Sequence, residues 1–272
     1  MKNQAINLLR YPGGKKRLLD FLLQHLPTTN SIKGNFVEPF VGGGAVFFAL
    51  GPKRALLADL NQELIDLYQG IQQLPKEIWQ IYQSFPATKE GYYQIRDSKS
   101  FPRELSYRAA RTLYLNRTCF KGMWRYDSNG KFNIGYGGQE RRNVVQKALL
   151  LEVSKRLRKA NLTVSDFEKI IDSTKRNDFI FLDPPYKPGK RSLSQAHYVY
   201  GKFSYADHKR LADGLERATK RGVRWAMTTS SHRDLLQLFA NSDIIRIPKG
   251  TSDRLGILTE NSGEVLIRNY VN

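Results

Sequence analysis

A single cysteine, Cys119, in 272 residues excludes an internal disulfide and a thiolate metal cluster. Histidine is nearly as scarce. The four present stand in no metal-ligand spacing, so no metal is expected. No apolar run approaches the roughly 18 residues that a membrane span requires, so no membrane partner is expected either. The opening residues, Lys2 and Asn3 among them, carry no apolar stretch, which predicts no secretory leader and a cytoplasmic protein. Internal repeats, low-complexity tracts and flexible linkers are also missing. The last deficit is acidic charge: only 25 Asp and Glu offset 44 Lys and Arg, leaving +19 and a pI near 10.0. Such a surplus predicts a polyanionic partner, nucleic acid first, bound with an affinity that falls steeply with salt.

What the chain does have is chemistry placed at the ends of short apolar runs. Residues 177–182 read as a turn and then a fully apolar run, the pattern of a strand buried on both faces of a parallel sheet. Asp183-Pro184-Pro185-Tyr186 follows. The prolines forbid further strand pairing, and Pro184 holds Asp183 extended. A carboxylate and an aromatic ring are thereby fixed at the carboxyl end of a central strand, the edge where open α/β sheets bind ligands. Asp183 and the Pro184 carbonyl can accept hydrogen bonds from an exocyclic amino group, and Tyr186 can stack on the ring that bears it. This suits methyl transfer to an amino group on a flat base. The tetrapeptide resembles the signature of amino-methyltransferases that use S-adenosylmethionine, and its Asp form is commonest in those acting on adenine N6. A proline-rich surface turn, with Tyr186 as packing, is the alternative.

Earlier in the chain, 8–15 forms a turn through Gly13-Gly14-Lys15 into an amphipathic helix over 16–26. The glycines permit close approach of the backbone to a ligand, and Lys15 can meet a carboxylate there. Residues 34–48 read as strand, glycine loop and helix, with Glu38, Phe40 and Gly42 at the turn. The loop lacks both the G-x-G-x-x-G spacing and a phosphate-binding Lys-Ser/Thr, so it suits a ligand without phosphates, as S-adenosylmethionine is. The next apolar run, 55–58, ends in Asp59, where a ribose diol is gripped in such folds; capping the helix over 62–68 is its other role. Helices are expected over 71–85 and 103–116, separated by a polar stretch with Tyr92 and Tyr93. Residues 116–138 then alternate basic and aromatic side chains around Asn129-Gly130, a strong hairpin signal. A ribbon of this kind enters a groove or wedges into base steps, with Arg reading guanine, or is simply a solvated hairpin. A basic helix over 143–159 precedes a strand at 162–164 and Asp166-Phe167, where carboxylate and ring can hold an adenine, or Asp166 can cap the helix 168–173. Residues 187–202 form a long basic flap carrying Tyr198 and Tyr200. A helix over 203–219, a strand over 223–228 and an antiparallel pair, 244–247 with 264–270, around the polar loop 250–263 complete the chain.

In that order the motifs resemble the Dam family of D12-class N6-adenine DNA methyltransferases over nearly the whole chain. The resemblance implies an α/β fold: a Rossmann-like, mostly parallel methyltransferase sheet with a reversed last strand, plus an inserted helical target-recognition domain carrying a β-hairpin. It places the S-adenosylmethionine-binding catalytic domain at 1–66 and 147–272 and the DNA-recognition domain at 67–146. It implies that Tyr11, Lys15, Glu38, Phe40, Gly42, Asp59, Asp166, Phe167 and Asp183 line the cofactor site. Asp183, Pro184, Pro185 and Tyr186 would hold a flipped-out adenine. Arg10, Asn116, Arg117, Phe120, Lys121, Met123, Arg125, Asn133 and Tyr198 would meet double-stranded DNA. Tyr11-Pro12 replaces a Trp-Ala pair of the GATC-specific members, Lys121 an Asn and Gly135 a Pro, changes that fall on recognition and leave the chemistry intact; GATC is the expected target. A monomer associated with the nucleoid is expected, and a cognate restriction endonuclease stays open as a partner. Methylation of RNA adenine or of cytosine N4, and a basic DNA-binding protein with a vestigial methyltransferase pocket, are the competing readings.

Overall fold

A computed structural model describes residues 6–11, 15–127, 129–186, 197–198, 201–251 and 258–271. In chain order the first elements are α1 (Leu19–His25), β1 (Phe36–Glu38), α2 (Ala45–Leu50), β2 (Ala55–Asp59) and α3 (Gln62–Gln73). Four helices follow: α4 (Pro75–Ser84), α5 (Lys89–Asp97), α6 (Leu105–Thr118) and α7 (Lys147–Leu157). Then come β3 (Ala160–Val164), α8 (Phe167–Asp172), β4 (Phe179–Leu182), β5 (His197–Tyr198), β6 (Gly201–Lys202) and α9 (Tyr205–Lys220). The chain closes with β7 (Arg224–Ser230), α10 (Arg233–Gln237), β8 (Asp243–Arg246), β9 (Lys249–Thr251), β10 (Leu258–Glu260) and β11 (Glu264–Arg268).

Among the described residues, seven strands form one sheet in the order β3-β2-β1-β4-β7-β11-β8. The first five pair in parallel, and β11 runs antiparallel to both its neighbours. This is the mostly parallel, Rossmann-like order with a reversed last strand that the resemblance implies. The chain starts at β1, winds out to β3 and returns to β4, so the switch point lies between β1 and β4. Side chains alternate between two cores. Phe36, Leu57, Phe179, Phe181, Ala226 and Leu266 enter one cluster; Val37, Ala58, Ile180, Leu182, Met227 and Ile267 enter the other. A strand buried on both faces has no polar face to show, which is why these runs read as uninterrupted apolar stretches.

The helices between β2 and β3 do not build a separate core. α6 packs on α3 and α4, and α7 on the same two helices. Leu64, Tyr68, Ile78, Tyr82, Leu113 and Val153 share the cluster that covers one face of the sheet. Arg142 is buried here and donates to the Tyr82, Gln83, Phe85 and Pro86 carbonyls, satisfying the acceptors that the end of α4 leaves open.

Several boundaries differ from those expected. The helix expected over 16–26 opens as a 3-10 turn, Lys15–Leu18, before α1. The helix expected over 71–85 is two, because Leu74 leaves helical geometry and Pro75 starts α4. The polar stretch around Tyr92 is helix α5, capped by Thr88, whose side chain accepts from the Gly91 amide. A Cβ on Gly91 would lie 2.2 Å from Pro86, so the residue that weakens the helix pattern is the one the packing requires. The loop 250–263 contains the β9–β10 ribbon. No helix among the described residues is long and apolar enough to cross a membrane.

Candidate active site at the carboxyl edge of the sheet

The parallel register brings the functional carboxylates to one edge. Glu38 ends β1, Asp59 ends β2 and Asp183 follows β4; Glu264 opens the reversed β11 and so reaches the same edge. The loop after β1 needs glycine, since Gly42 and Gly44 have φ of 45° and 64°. Gly42 donates its amide to Asp59 Oδ2 at 3.1 Å, and Asn61 donates to Asp59 Oδ1 at 3.0 Å. The Tyr68 hydroxyl donates to the Gly42 carbonyl at 2.8 Å. Asp59 therefore clamps the glycine loop. The cap of α3 is Asn61, not Asp59, because the Asn61 side chain accepts from the Leu64 amide at 3.1 Å. Tyr11 lies over the same loop, its ring 3.0 Å from where a Cβ on Gly42 would be.

Asp183 is held from one side. Lys15 Nζ lies 2.7 Å from Asp183 Oδ1, and Thr228 Oγ1 donates to the same oxygen at 2.7 Å. Both donors converge on Oδ1, which leaves Oδ2 for a ligand. The register Leu182 with Met227 explains the Thr228 contact, which is one step beyond that pair. Lys15 is buried with its ammonium on Asp183 and 5.0 Å from the centre of the Tyr186 ring. The carboxylate it meets is thus the protein's own. The Tyr186 hydroxyl donates to Glu264 Oε1, so the ring is anchored at its far end. Burial drives the Asp183 carboxyl above the usual carboxylate range; Lys15 and Thr228 oppose this, and the Glu264 charge adds to it. Burial, then the Asp183 and Asp59 charges, push Glu38 well above that range, against a backbone hydrogen bond from Phe47. Glu38 Oε2 is buried with no hydrogen-bond partner. A crowded set of carboxylates with an unsatisfied acceptor is a site for a cationic, hydrogen-bond-donating ligand.

At the β3 end, Asp166 caps α8, accepting from the Glu168 amide at 2.9 Å, and pairs with Arg210 at 2.9 Å. Phe167 stacks on Phe40, with ring centres 5.3 Å apart, and the Arg210 guanidinium lies 4.9 Å from the Phe167 ring centre. The capping role of Asp166 is therefore present, beside the ring expected to hold an adenine.

The 116–138 segment forms a short irregular hairpin, bridged at Cys119–Tyr136 and Tyr126–Phe132, with the Asp127 carbonyl accepting from the Gly130 amide at its tip. Two residues expected to meet DNA are instead interior: Asn116 and Arg117 are 2% and 1% exposed. Asn116 clasps the Arg10 backbone, accepting from its amide at 2.9 Å and donating to its carbonyl at 2.7 Å. Arg117 donates to the Asn7 carbonyl, and burial brings its guanidinium down to about 10. Both tie the N-terminal segment to α6 and present no side chain to a duplex. Phe120 is 48% exposed, and Lys121, at φ 54°, lies with its ammonium 5.1 Å from the Phe120 ring centre. Arg125 is exposed and donates to the Asn133 side chain, while Met123 is half-buried. Arg10 donates to the Cys119 carbonyl at the hairpin base. Gly13 and Gly14, most of the expected flap and Tyr200 lie outside the described residues; Tyr198 lies in β5. Thr228 and Glu264 were not singled out by sequence reasoning. The available signal was a polar Thr-Thr-Ser end to a buried strand and a glutamate opening an apolar one.

The family described as D12 class N6 adenine-specific DNA methyltransferase matches residues 11–251. The chain is 30% identical to type II methyltransferase M1.LlaDCHI of Lactococcus lactis subsp. cremoris, over 100% of this chain and 99% of that protein. It is 30% identical to type II methyltransferase M.MjaIII of Methanocaldococcus jannaschii, over 96% and 98%. It is 29% identical to a DNA adenine methylase of Salmonella typhi, over 94% and 91%. With the sheet order and the carboxylate edge in place, these matches show that the chain belongs to the D12-class N6-adenine-specific DNA methyltransferases.

Proposed function

We propose that the site at the carboxyl edge transfers a methyl group from S-adenosylmethionine to N6 of an adenine flipped out of duplex DNA, with Asp183, Pro184 and Tyr186 holding the base. The observation that carries this reading is the one-sided anchoring of Asp183, with Oδ1 taken by Lys15 and Thr228 and Oδ2 left open next to a tethered Tyr186. The N6 lone pair is conjugated into the purine and is a poor nucleophile. Asp183 Oδ2 and the Pro184 carbonyl accept its two hydrogens and favour a tetrahedral nitrogen, which frees the lone pair. The bound cofactor supplies a methyl on a sulfonium, a good leaving group. As positive charge develops on nitrogen, the Asp183 carboxylate stabilises it and then takes the proton directly or through water. An adenine N6 inside a duplex is out of reach, so the base must leave the stack, and Tyr186 gives it a ring to stack on.

The residues fit the cofactor electrostatically. Glu38, with its unsatisfied Oε2, suits the methionine ammonium, and Asp59, at the end of β2 beneath the glycine loop, suits the ribose diol. Asp166 and Phe167 suit the adenine ring, provided Arg210 yields the ring face. Residues 67–146, with Phe120 as wedge and Arg125 and Lys121 facing outward, are the DNA-recognition part in this reading. GATC is the proposed target. The relatives named type II methyltransferases support a place beside a restriction endonuclease.

The test is to incubate the protein with unmethylated plasmid and S-adenosylmethionine and map N6-methyladenine. Methylation at one short motif is the expected result; methylation of cytosine N4, or of RNA alone, would overturn the assignment.

Tyr186 works here only if its ring is fixed, and Glu264 fixes it. Glu264→Met is expected to lower kcat about 10- to 100-fold, because a slightly misplaced base loses alignment. Cofactor affinity should stay put, and Glu264→Gln, which still accepts from the phenol, should recover most of the loss. Equal losses in the Met and Gln variants would remove Glu264 from base positioning.

A further inference from the structure

The edge of the sheet opposite the active site carries the opposite charge. Ala160, Ala55, Phe36, Phe179 and Arg224 are register partners across five adjacent parallel strands. The segments that lead into this row are basic: Arg158-Lys159 enters β3, Lys53-Arg54 enters β2 and Lys175-Arg176 leads to β4. Backbone bonds continue the ladder below the row, from Ala55 to the Lys159 carbonyl, Phe36 to the Arg54 carbonyl and Phe179 to the Asn35 carbonyl, so these segments adjoin. All six basic side chains are exposed, and none makes an ion pair among the described residues. The carboxylates close by are engaged. Asp178 is buried and accepts from the Asn35 and Lys175 amides, and Asp172 pairs with Arg217. Four strand spacings of ~4.8 Å make the row about 19 Å long. A duplex carries one phosphate charge per ~1.7 Å of axis, about 11 over that length.

The row is remote from the catalytic edge. Ala55 and Asp59 bracket β2, four residue rises of ~3.3 Å apart, so about 13 Å of buried sheet separates the two edges. Glu38, Asp59, Asp183 and Glu264 lie at the far end, so the molecule is polarised along its strands. DNA stiff over about 150 base pairs does not fold around such an edge within one short site.

We propose that this basic edge is a second, sequence-independent duplex-binding surface, which holds the phosphate backbone of a DNA segment other than the one in the catalytic cleft. Its occupant is duplex DNA because the six charges are unpaired and lie in a line, which suits a phosphate backbone. The enzyme thereby bridges two segments and passes between them without release into solution.

The test uses the full chain with two differently labelled duplexes. One is a short duplex that carries the methylated motif and fills the cleft; the other is an unrelated duplex without it. Energy transfer between the labels should report a ternary complex at low salt. In K53Q/R158Q/K175Q/R176Q that signal should fall at least tenfold, and its dependence on log salt should flatten by about 0.9 per lost contact. Turnover on the short duplex should stay within twofold. The charge-keeping K53R/K175R protein should bridge like the parent, which separates charge from folding. No ternary complex in the parent, an unchanged one in the Gln variant, or an equal loss of turnover on the short duplex would each overturn the proposal. So would tighter capture of RNA or of anionic vesicles than of duplex at this edge. The energy-transfer and salt-dependence readouts do not require methyl transfer, so the proposal can fail while the assignment of the catalytic site stands.

Discussion

Asp183→Asn is expected to reduce methyl transfer by at least about 10²–10³-fold while leaving S-adenosylmethionine and DNA binding within a few-fold of the parent. The magnitude follows from removing a preorganised charge at the atom where positive charge develops. Asparagine is the sharper variant because it keeps size and shape. Lys15 and Thr228 both donate to Oδ1, so the amide oxygen will turn toward them and the amide nitrogen will occupy the Oδ2 position. The adenine amino group would then meet a donor where it needs an acceptor. The defect is thus both a lost charge and a wrong hydrogen-bond sense, and it falls on kcat. Single-turnover transfer of labelled methyl, with binding followed by anisotropy, measures it. Methylation within tenfold of the parent would exclude Asp183 from the base pocket.

The parts of this site that were legible in the sequence are those carried by contiguous residues. Asp183 and Tyr186 follow a buried strand within one segment, and prolines mark its end. Glu38 and Asp59 sit where the strand-to-loop pattern changes. The resemblance supplied the order of these pieces and the sheet with its reversed strand, which agrees with β11 lying between β7 and β8. Illegible were the contacts made across the fold. Lys15 meets Asp183, and Thr228 reaches it too, only because the first turn and β7 both lie beside the end of β4. Local pattern contains no information about such neighbours. Glu264 reads as an ordinary strand-opening charge until Tyr186 is seen to donate to it.

Charge was legible in amount and misread in place. Counting Arg117 with the DNA-facing residues treats sequence position in the hairpin region as exposure, yet α6 buries it, as the chain buries Arg142. An arginine such as Arg142, whose guanidinium donates to four backbone carbonyls, can be interior, and nothing in a composition distinguishes it from a surface one. Conversely, the paired basic residues before β2, β3 and β4 look like ordinary loop charges in the sequence. Their alignment appears only when the parallel register stacks the strand starts.

Lys15→Met is expected to lower kcat/KM about a hundredfold at neutral pH and to change the pH profile in a defined direction. Lys15 and Thr228 are the groups that oppose the burial of Asp183. Without the ammonium the carboxyl moves further above the usual carboxylate range. Asp183 acts ionised, so the acid limb of kcat/KM shifts to higher pH and activity recovers as pH rises. Stability moves the other way. The native carboxyl of the variant binds its proton more tightly than the unfolded one, whose pKa is about 3.9. Stability is then greatest below the unfolded value and falls as pH rises through the window up to the folded one. Above that window an unpaired buried carboxylate remains. Breaking a buried pair by removing one partner costs about 3–5 kcal/mol. The 22% exposure of the Asp183 side chain puts this case toward the lower end, about 3 kcal/mol. Lys15→Arg keeps the charge and should keep the profile. Rate profiles and denaturant midpoints measured across the same pH range would show the two opposed trends. An acid limb that does not move in Lys15→Met would mean that the buried ammonium does not govern the Asp183 carboxyl, and that the pairing in the structure is packing alone.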